Sequence, residues 1–172
     1  MSLTHRPVEE KDIRVVCGFP QSEDELFFMF PKAEFPLAEF PLTPAQLQEA
    51  IAQRSDSTVA ELDGEVAAFA NFHRRETGGR CSLGNVIISP SARRRGVGRY
   101  LIARMAAITF SKHRATELTA SCFNQNIAGL RLYSKPGFGP YAIKERKDRQ
   151  GNRGALIHPR LAGMSLFRGN RT

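Results

Sequence analysis

The chain has 172 residues, 41% of them hydrophobic and 24% charged, with 25 lysines and arginines against 17 aspartates and glutamates and a formal net charge of +8. That length gives one domain able to bury roughly two-thirds of the surface its unfolded chain exposes, and the composition excludes wholesale disorder. The charge is no uniform basic coat: residues 1–70 hold 5 basic and 13 acidic side chains, net −8, and residues 71–172 hold 20 and 4, net +16, a split that suits two differently charged ligands meeting at one site.

Residues 3–9 predict a first strand, and the stretch from Glu10 to about Phe30 predicts one or two short helices ending at Pro31. The acidic, polar start MSLTHRPVEEKDI is not a secretory signal, and no run reaches the roughly 18 apolar residues of a membrane span. A cytoplasmic protein with no membrane partner is expected. Pro31, Pro36, Pro41 and Pro44 then forbid a regular helix. Phe27, Phe28, Met29, Phe30, Phe35 and Phe40 crowd this region, where rings either pack the segment onto the core or wall a substrate pocket.

Thr43 as N-cap with Pro44 in the first turn opens a helix, PAQLQEAIAQR. The period then changes to that of strands: STVAEL and EVAAFANFHRR flank Asp63-Gly64, a strong hairpin signal. Thr77-Gly78-Gly79 turns into RCSLGNVIIS, whose β-branched end, Val86-Ile87-Ile88, is expected to be buried on both faces. Three adjacent antiparallel strands result. From Arg99 to Phe110 the apolar positions Tyr100, Leu101, Met105 and Ile108 predict a helix packed on that sheet. TELTASCF reads as a strand, NIAGLRLYSK as a short helix, and GFGPYAIKE and GALIHPRL as two more strands, an α+β or mixed α/β plan. Cys17, Cys81 and Cys122 are odd in number with no CxxC, and His5, His73, His113 and His158 are scattered, so neither a disulfide framework nor a metal site is expected.

The most informative stretch is Ser89 to Tyr100, SPSARRRGVGRY, between a buried strand and an amphipathic helix. Such a turn directs backbone N–H groups outward at the positive end of the helix dipole, an anion site. Gly96 and Gly98 clear side chains from the approach of a phosphate, while Arg93, Arg94, Arg95 and Arg99 add guanidinium groups suited to its oxygens. A P-loop would need Gly-Lys-Ser/Thr where Gly98-Arg99-Tyr100 stands, and a Rossmann fingerprint would need a third glycine at Leu101 and an acidic residue after the next strand, where TASCFN has none.

The string VIISPSARRRGVGRYLI resembles the acetyl-CoA signature of the GNAT superfamily of acyl-CoA-dependent N-acyltransferases, a hydrophobic strand, a proline and Q/RxxGxG/A, matched by Arg93, Gly96 and Gly98. The family's later element, NxxAxxLYxKxGF, stands here from Asn126 to Phe138, departing only at Gly129 in place of alanine. The resemblance covers about residues 57–143 closely. It implies a central, mostly antiparallel twisted sheet of six to seven strands, splayed between the fourth and fifth and flanked by about four helices. It also implies a single domain over 1–172, with 1–56 on the acceptor side, 57–143 as cofactor core and 144–172 as C-terminal strand and tail.

By the same resemblance the co-substrate is acetyl-CoA. Free backbone groups of Val86, Ile87 and Ile88 would pair with its pantetheine arm. The pyrophosphate would rest on the amides from Arg94 through Arg95, Gly96, Val97, Gly98 and Arg99 to Tyr100, with an arginine on the 3′-phosphate, and Asn126 would hydrogen-bond the pantetheine. Tyr133 matches the general acid that protonates the departing thiolate, a chemically sensible choice because a phenol of pKa about 10 stays protonated at neutral pH. The alternative is a tyrosine packed in the core. The amine would attack the thioester directly, its carbonyl polarised by a backbone N–H near Ile88.

No base for the amine is evident, since Asn85, Cys122 and Asn124 stand where many relatives place an acid; Glu34, Glu39, Glu61 and His73 are unranked candidates, and Cys122 as an acyl-carrying nucleophile is the weaker alternative. Glu23, Asp24, Glu25, Glu34 and Glu39 among phenylalanines predict a cationic amine acceptor, small or peptide-terminal, with Phe30, Glu34 and Phe35 as pocket residues. Two other readings remain. One is a non-catalytic CoA-binding regulatory domain; the other, a basic nucleic-acid-binding module, finds no stacking signature or helix-turn-helix, so no nucleic-acid partner is expected. Monomer and homodimer are both compatible with the sequence.

Overall fold

In the computed structural model of the chain, the described residues are 1–30, 40–134 and 137–163. The elements run β1 (Leu3–Pro7), α1 (Ile13–Cys17), α2 (Glu23–Met29), α3 (Pro44–Ala52), β2 (Ser55–Leu62), β3 (Glu65–Arg75), β4 (Arg80–Ile88), α4 (Val97–Ala107), β5 (Glu117–Thr119), β6 (Cys122–Phe123), α5 (Ile127–Ser134), β7 (Gly139–Lys147) and β8 (Arg153–Ala162). Their limits follow local chemistry. The Ser22 hydroxyl accepts from the Glu25 N–H at the start of α2, Thr43 and Gln46 form a reciprocal capping box on α3, and Asp63 and Gly64 take the left-handed backbone that closes the β2–β3 hairpin.

The sheet order is β1-β2-β3-β4-β5-β8-β6, with β7 on β8. All pairings are antiparallel except β4 with β5, which run parallel through Arg80, Cys81 and Ser82 against Glu117, Leu118 and Thr119. Beyond those residues the strands part. β6, the continuation of β5, pairs with Ile157 and Leu156 of β8 instead of with β4. The expected strand TELTASCF is therefore one strand in sequence and two in pairing, interrupted at Ala120–Ser121, and this break makes eight segments of the six to seven strands expected.

Alternation along β3 distributes its side chains to two cores. Ala68, Ala70 and Phe72 join Leu101, Ile102 and Met105 of α4 and Tyr133 of α5 in one cluster. Phe69 joins Val16, Leu26, Met29 and Leu47 of α1, α2 and α3 in the other. The helix expected from Arg99 begins two residues earlier, because Gly96 at φ 82° supplies the left-handed N-cap, and it runs on past Ala107 into a wider turn over Ile108–Lys112. The N-terminal layer is fastened by one ionic knot. Arg6 donates from Nη1 and Nη2 to the two oxygens of Asp12 at 2.7 and 3.0 Å and from Nε to Glu61 at 3.0 Å. Asp12 is only 2% exposed and also accepts the Glu9 N–H.

Candidate active site

The turn after β4 has the shape its sequence predicts. Arg93 is extended, Arg94 is left-handed at φ 61° and Gly96 is left-handed at φ 82°. Alternating conformations of this kind curve successive N–H groups around a common point, a nest for an anion. A left-handed arginine costs about 1 kcal/mol or more, the kind of strain that persists where a ligand benefits. Arg94, Arg95 and Arg99 are exposed. Arg93 is held by Glu25 of α2 in an ion pair, which ties this turn to α2. Val97 is buried at 1% exposure, its side chain in the core with Leu101 and Ile102.

Tyr100 does not fit the role expected of it. Its N–H is donated within α4 to the Gly96 carbonyl at 3.0 Å, and its hydroxyl meets His5 Nδ1 at 3.0 Å. The free amides at the helix start end at Arg99, one residue short of the expectation, because the first intrahelical bond uses the fourth. Gly98 is needed for packing: a Cβ there would stand 3.0 Å from Leu132 Cδ1 of α5 and 3.4 Å from Ile88 Cδ1 of β4.

The splay opens at Asn85. Asn85 adopts φ 44°, and the pairing of β4 with β3 slips there, Phe69 facing Ile87 while Asn71 faces Gly84. This bulge bends β4 away from β5. Side-chain bonds fix it: Asn71 Nδ2 donates to Asn85 Oδ1, and Asn85 Nδ2 to the Met29 carbonyl, both at 3.1 Å. The edge of β4 from Leu83 to Ile88 has no strand partner on the β5 side among the described residues. Val86 and Ile88 lean on the α4 and α5 core and Ile87 on the opposite one.

A small cleft, partly open to solvent, lies at this splay between Leu83, Gly84 and Asn85 on one side and Ser121 on the other. Phe30, at the C-cap of α2, lines it together with Arg54 and His73. Glu34 and Phe35, the other expected pocket residues, and Glu39 lie outside the described residues. Arg54 hydrogen-bonds His73 Nδ1. A guanidinium has no lone pair to offer, so Nδ1 accepts and the ring carries its proton on Nε2. Asn71 Oδ1, buried with no hydrogen-bond partner, lies beside Gly84, where an added Cβ would stand 3.0 Å from it.

The other acidic candidates are engaged elsewhere. Glu23 and Asp24 pair with Arg149, Glu25 with Arg93, and Glu61 with Arg6 at the β1–β2 edge. The halves of opposite charge thus partly neutralise each other across α2. Phe27 stacks on Phe123 of β6 with ring centroids 4.7 Å apart, so that ring packs α2 onto the splayed arm.

Tyr133 sits on α5, 6% exposed, edge-on to Phe138 at 5.6 Å. Burial, and after it the neighbouring Cys122, holds its phenol well above the ordinary tyrosine range, so it stays protonated throughout the physiological range. Burial also pushes the Cys122 thiol up to about 12, and a neutral buried thiol is a poor nucleophile. Asn126 Oδ1 caps α5 by accepting the Gly129 N–H at 3.0 Å, which leaves Nδ2 as its donor toward a ligand. The departure at Gly129 has its reason here: a Cβ would stand 2.6 Å from Asn126 Nδ2 and 2.8 Å from Cys122 Sγ. Alanine inside a helix normally gains about 0.5–1 kcal/mol over glycine. Displacing the Asn126 cap costs about as much, and overpacking adds about 1–3 kcal/mol, so Gly129→Ala is expected to lower stability by about 1 kcal/mol or more and weaken acetyl-CoA binding. Urea denaturation and a titration with acetyl-CoA check it, and a stabilised variant contradicts it.

Sequence reasoning missed Arg54, Gly84 and Ser121 as cleft residues. They come from three separate strands or loops and share no local pattern; the positive-φ bulge at Asn85 that brings them together has no residue signature of its own.

The model of the Acetyltransferase (GNAT) family matches residues 21–138. No curated protein matches in sequence. Solved structures do match over nearly the whole chain. A provisionally assigned phosphinothricin N-acetyltransferase is 25% identical over 94% of this chain and 98% of its own, with a TM-score of 0.71. A provisionally assigned acetyltransferase from Salmonella typhimurium, solved with acetyl-CoA, is 20% identical over 94% of each chain, with a TM-score of 0.69. A spermidine N-acetyltransferase from Vibrio cholerae, in complex with CoA and spermine, is 15% identical over 96% and 98%, with a TM-score of 0.76.

Proposed function

Because the chain belongs to the GNAT acetyltransferase family, whose co-substrate is acetyl-CoA, we propose that it moves the acetyl group to a primary amine of a small molecule or peptide bound in the cleft at the splay. The observation that carries this reading is the meeting of two features at one point: the anion nest at the end of β4, and the unpaired edge of β4 leading inward to a polar cleft. Acetyl-CoA supplies an activated acyl group on a sulfur leaving group. Everything else falls to the chain.

The nest amides from Arg94 to Arg99 and the exposed arginines hold the phosphates. The free edge of Val86, Ile87 and Ile88 takes the pantetheine arm as a further strand would be taken, and Asn126 Nδ2 donates to it. A backbone N–H near Ile88 is the donor for the developing oxyanion. Tyr133, held neutral by burial, provides the proton for the thiolate. Phe30 and the polar side chains of Arg54, His73 and Ser121 receive the acceptor. Its amine is an ammonium at neutral pH; the spermine-bound relative of this fold and the provisional phosphinothricin enzyme make polyamines and amino acids the first acceptors to try.

Thiol release from acetyl-CoA is the test, run against polyamines, amino acids, amino sugars and peptides with a free N-terminus, with the product identified by mass. Turnover of at least one amine with one N-acetyl product per thiol is the expected result. Tight acetyl-CoA binding with no amine turned over would leave a CoA-binding regulatory domain instead.

A further inference from the structure

We infer that Ser121 and His158 form the relay that removes the acceptor amine's proton, a role that rests on the acetyl-transfer reading above. Ser121 lies in the break between β5 and β6, facing β4 across the splay, and lines the cleft. Its Oγ is 3.0 Å from Nδ1 of His158 on β8. The break is rigid, because the Ala120 N–H bonds to the Pro159 carbonyl at 3.0 Å and the Asn124 N–H to the Ala155 carbonyl at 2.9 Å. His158, 8% exposed, sits behind the serine and out of the acceptor's way. The neighbouring Cys122 points the other way, its thiol on the carbonyl of Asn126. Ser121 therefore serves the acceptor side and Tyr133 the α5 side of the same strand break.

The other cleft groups do not suit this work. His73 Nδ1 already accepts from Arg54, asparagine amides do not titrate, and no carboxylate among the described residues lines the cleft. Arg54 favours the transfer, since a guanidinium beside the incoming ammonium lowers the ammonium's pKa. Charged and titratable groups on the elements that carry or face the pair include Cys122 next to Ser121, Arg160 on β8 and Glu117 on β5, which pairs with Arg160 and Arg80, Tyr141 on β7 beneath the Arg80 and Arg160 guanidiniums, and Arg54 and His73 across the cleft.

Protons and electrons balance as follows. An ammonium N–H bond breaks toward Ser121 Oγ as the Oγ–H proton passes to His158 Nδ1, so nitrogen keeps its lone pair and the serine ends unchanged. The amine attacks the thioester carbonyl; the C–N bond forms, the C–S bond breaks, and the thiolate takes a proton from Tyr133. The second N–H proton, lost as the amide forms, restores the phenol. The imidazolium releases its proton to solvent, the one proton the net reaction liberates.

The test is the pH dependence of kcat/KM, from pH 6 to 10, for the full chain and for Ser121→Ala, Ser121→Thr, His158→Gln and the double variant, with an amine from the acceptor panel. At pH 7 both single removals are expected to lose about 10²-fold, within the range of general base catalysis. The loss should shrink as pH approaches 10 and free amine becomes plentiful. The double variant should be no worse than the worse single, and Ser121→Thr should recover part of the rate because it keeps the hydroxyl. Acetyl-CoA affinity and melting temperature should stay near wild type in Ser121→Ala. A loss equal at every pH, or wild-type rates in Ser121→Ala, overturns the relay while leaving acetyl transfer intact. A wild-type protein that binds acetyl-CoA yet turns over no amine overturns both.

Discussion

Tyr133→Phe is expected to lower kcat by about 10²- to 10⁴-fold, the usual contribution of a positioned general acid, while leaving acetyl-CoA affinity within a few-fold of wild type. The substitution keeps the ring, its contact with Phe138 and its place in the α4 and α5 core; only the proton donor goes. The direction of the phenol's pKa adds a second expectation. Its folded-state value is raised above the unfolded one, so the stability it contributes is present at neutral pH and lost only as pH climbs past the ordinary tyrosine range. Rates measured between pH 6 and 10 should accordingly show no fall from loss of the acid. Stopped-flow thiol release on the two proteins decides the matter. Full turnover by Tyr133→Phe would return the residue to a packing role.

The ionic knot of the N-terminal layer carries the largest expected effect on stability. Arg6→Met keeps a long apolar stem and removes the charge, leaving the Asp12 carboxylate buried with only the Glu9 N–H. Breaking a buried pair from one side costs about 3–5 kcal/mol; Arg6 retains 23% side-chain exposure, which points to the lower end, about 3 kcal/mol. The sign with pH follows from the shift. The hydrogen bonds from Arg6 hold Asp12 below the ordinary aspartate value against the opposing effect of burial, so its stabilisation is complete above about pH 4 and disappears as pH falls through the depressed value. Asp56 behaves alike: burial alone would raise it, but Lys112 and His113 together bring it down. Urea midpoints of wild type and Arg6→Met should differ widely at pH 7 and by less at pH 3. An equal gap at both would mean that the guanidinium's packing, and not its charge, matters.

The features legible in the sequence are those that a few adjacent residues determine. Asp63-Gly64 declares a hairpin because it takes the left-handed backbone the turn demands. Thr43-Pro44 declares a helix start, and Arg93 to Gly98 declares an anion turn because its glycines and arginines act within one turn of chain. Even there the reach of the amides was overdrawn by one residue, since Tyr100 belongs to the helix ladder. What was not legible depends on register between distant strands. Nothing near Ser121 marks it as a cleft residue until β8 places His158 beside it, 37 positions away. Glu23, Asp24 and Glu25 read as a cation-binding wall because their partners, Arg93 and Arg149, lie far along the chain. Gly129 departs from the motif because Cys122 and Asn126 fill the space an alanine methyl would need.

The parallel contact between β4 and β5 is short, three residue pairs from Arg80 to Ser82. It is pinned by the Arg80–Glu117 ion pair and by a buried Ser82–Thr119 hydroxyl contact at 2.7 Å. Geometrically this is the fulcrum of a pair of tongs. From Ser82 to Ile88 the arm is about 20 Å long at 3.3 Å per residue, so a rotation of about 3° at the fulcrum moves the far end by about 1 Å. A displacement of that size is enough to alter rates a hundredfold when two reactants must be aligned. Together with the β3 pairing that backs the arm, four side chains at the closed end of the tongs thus set how far the two strands part, well away from the turn after β4.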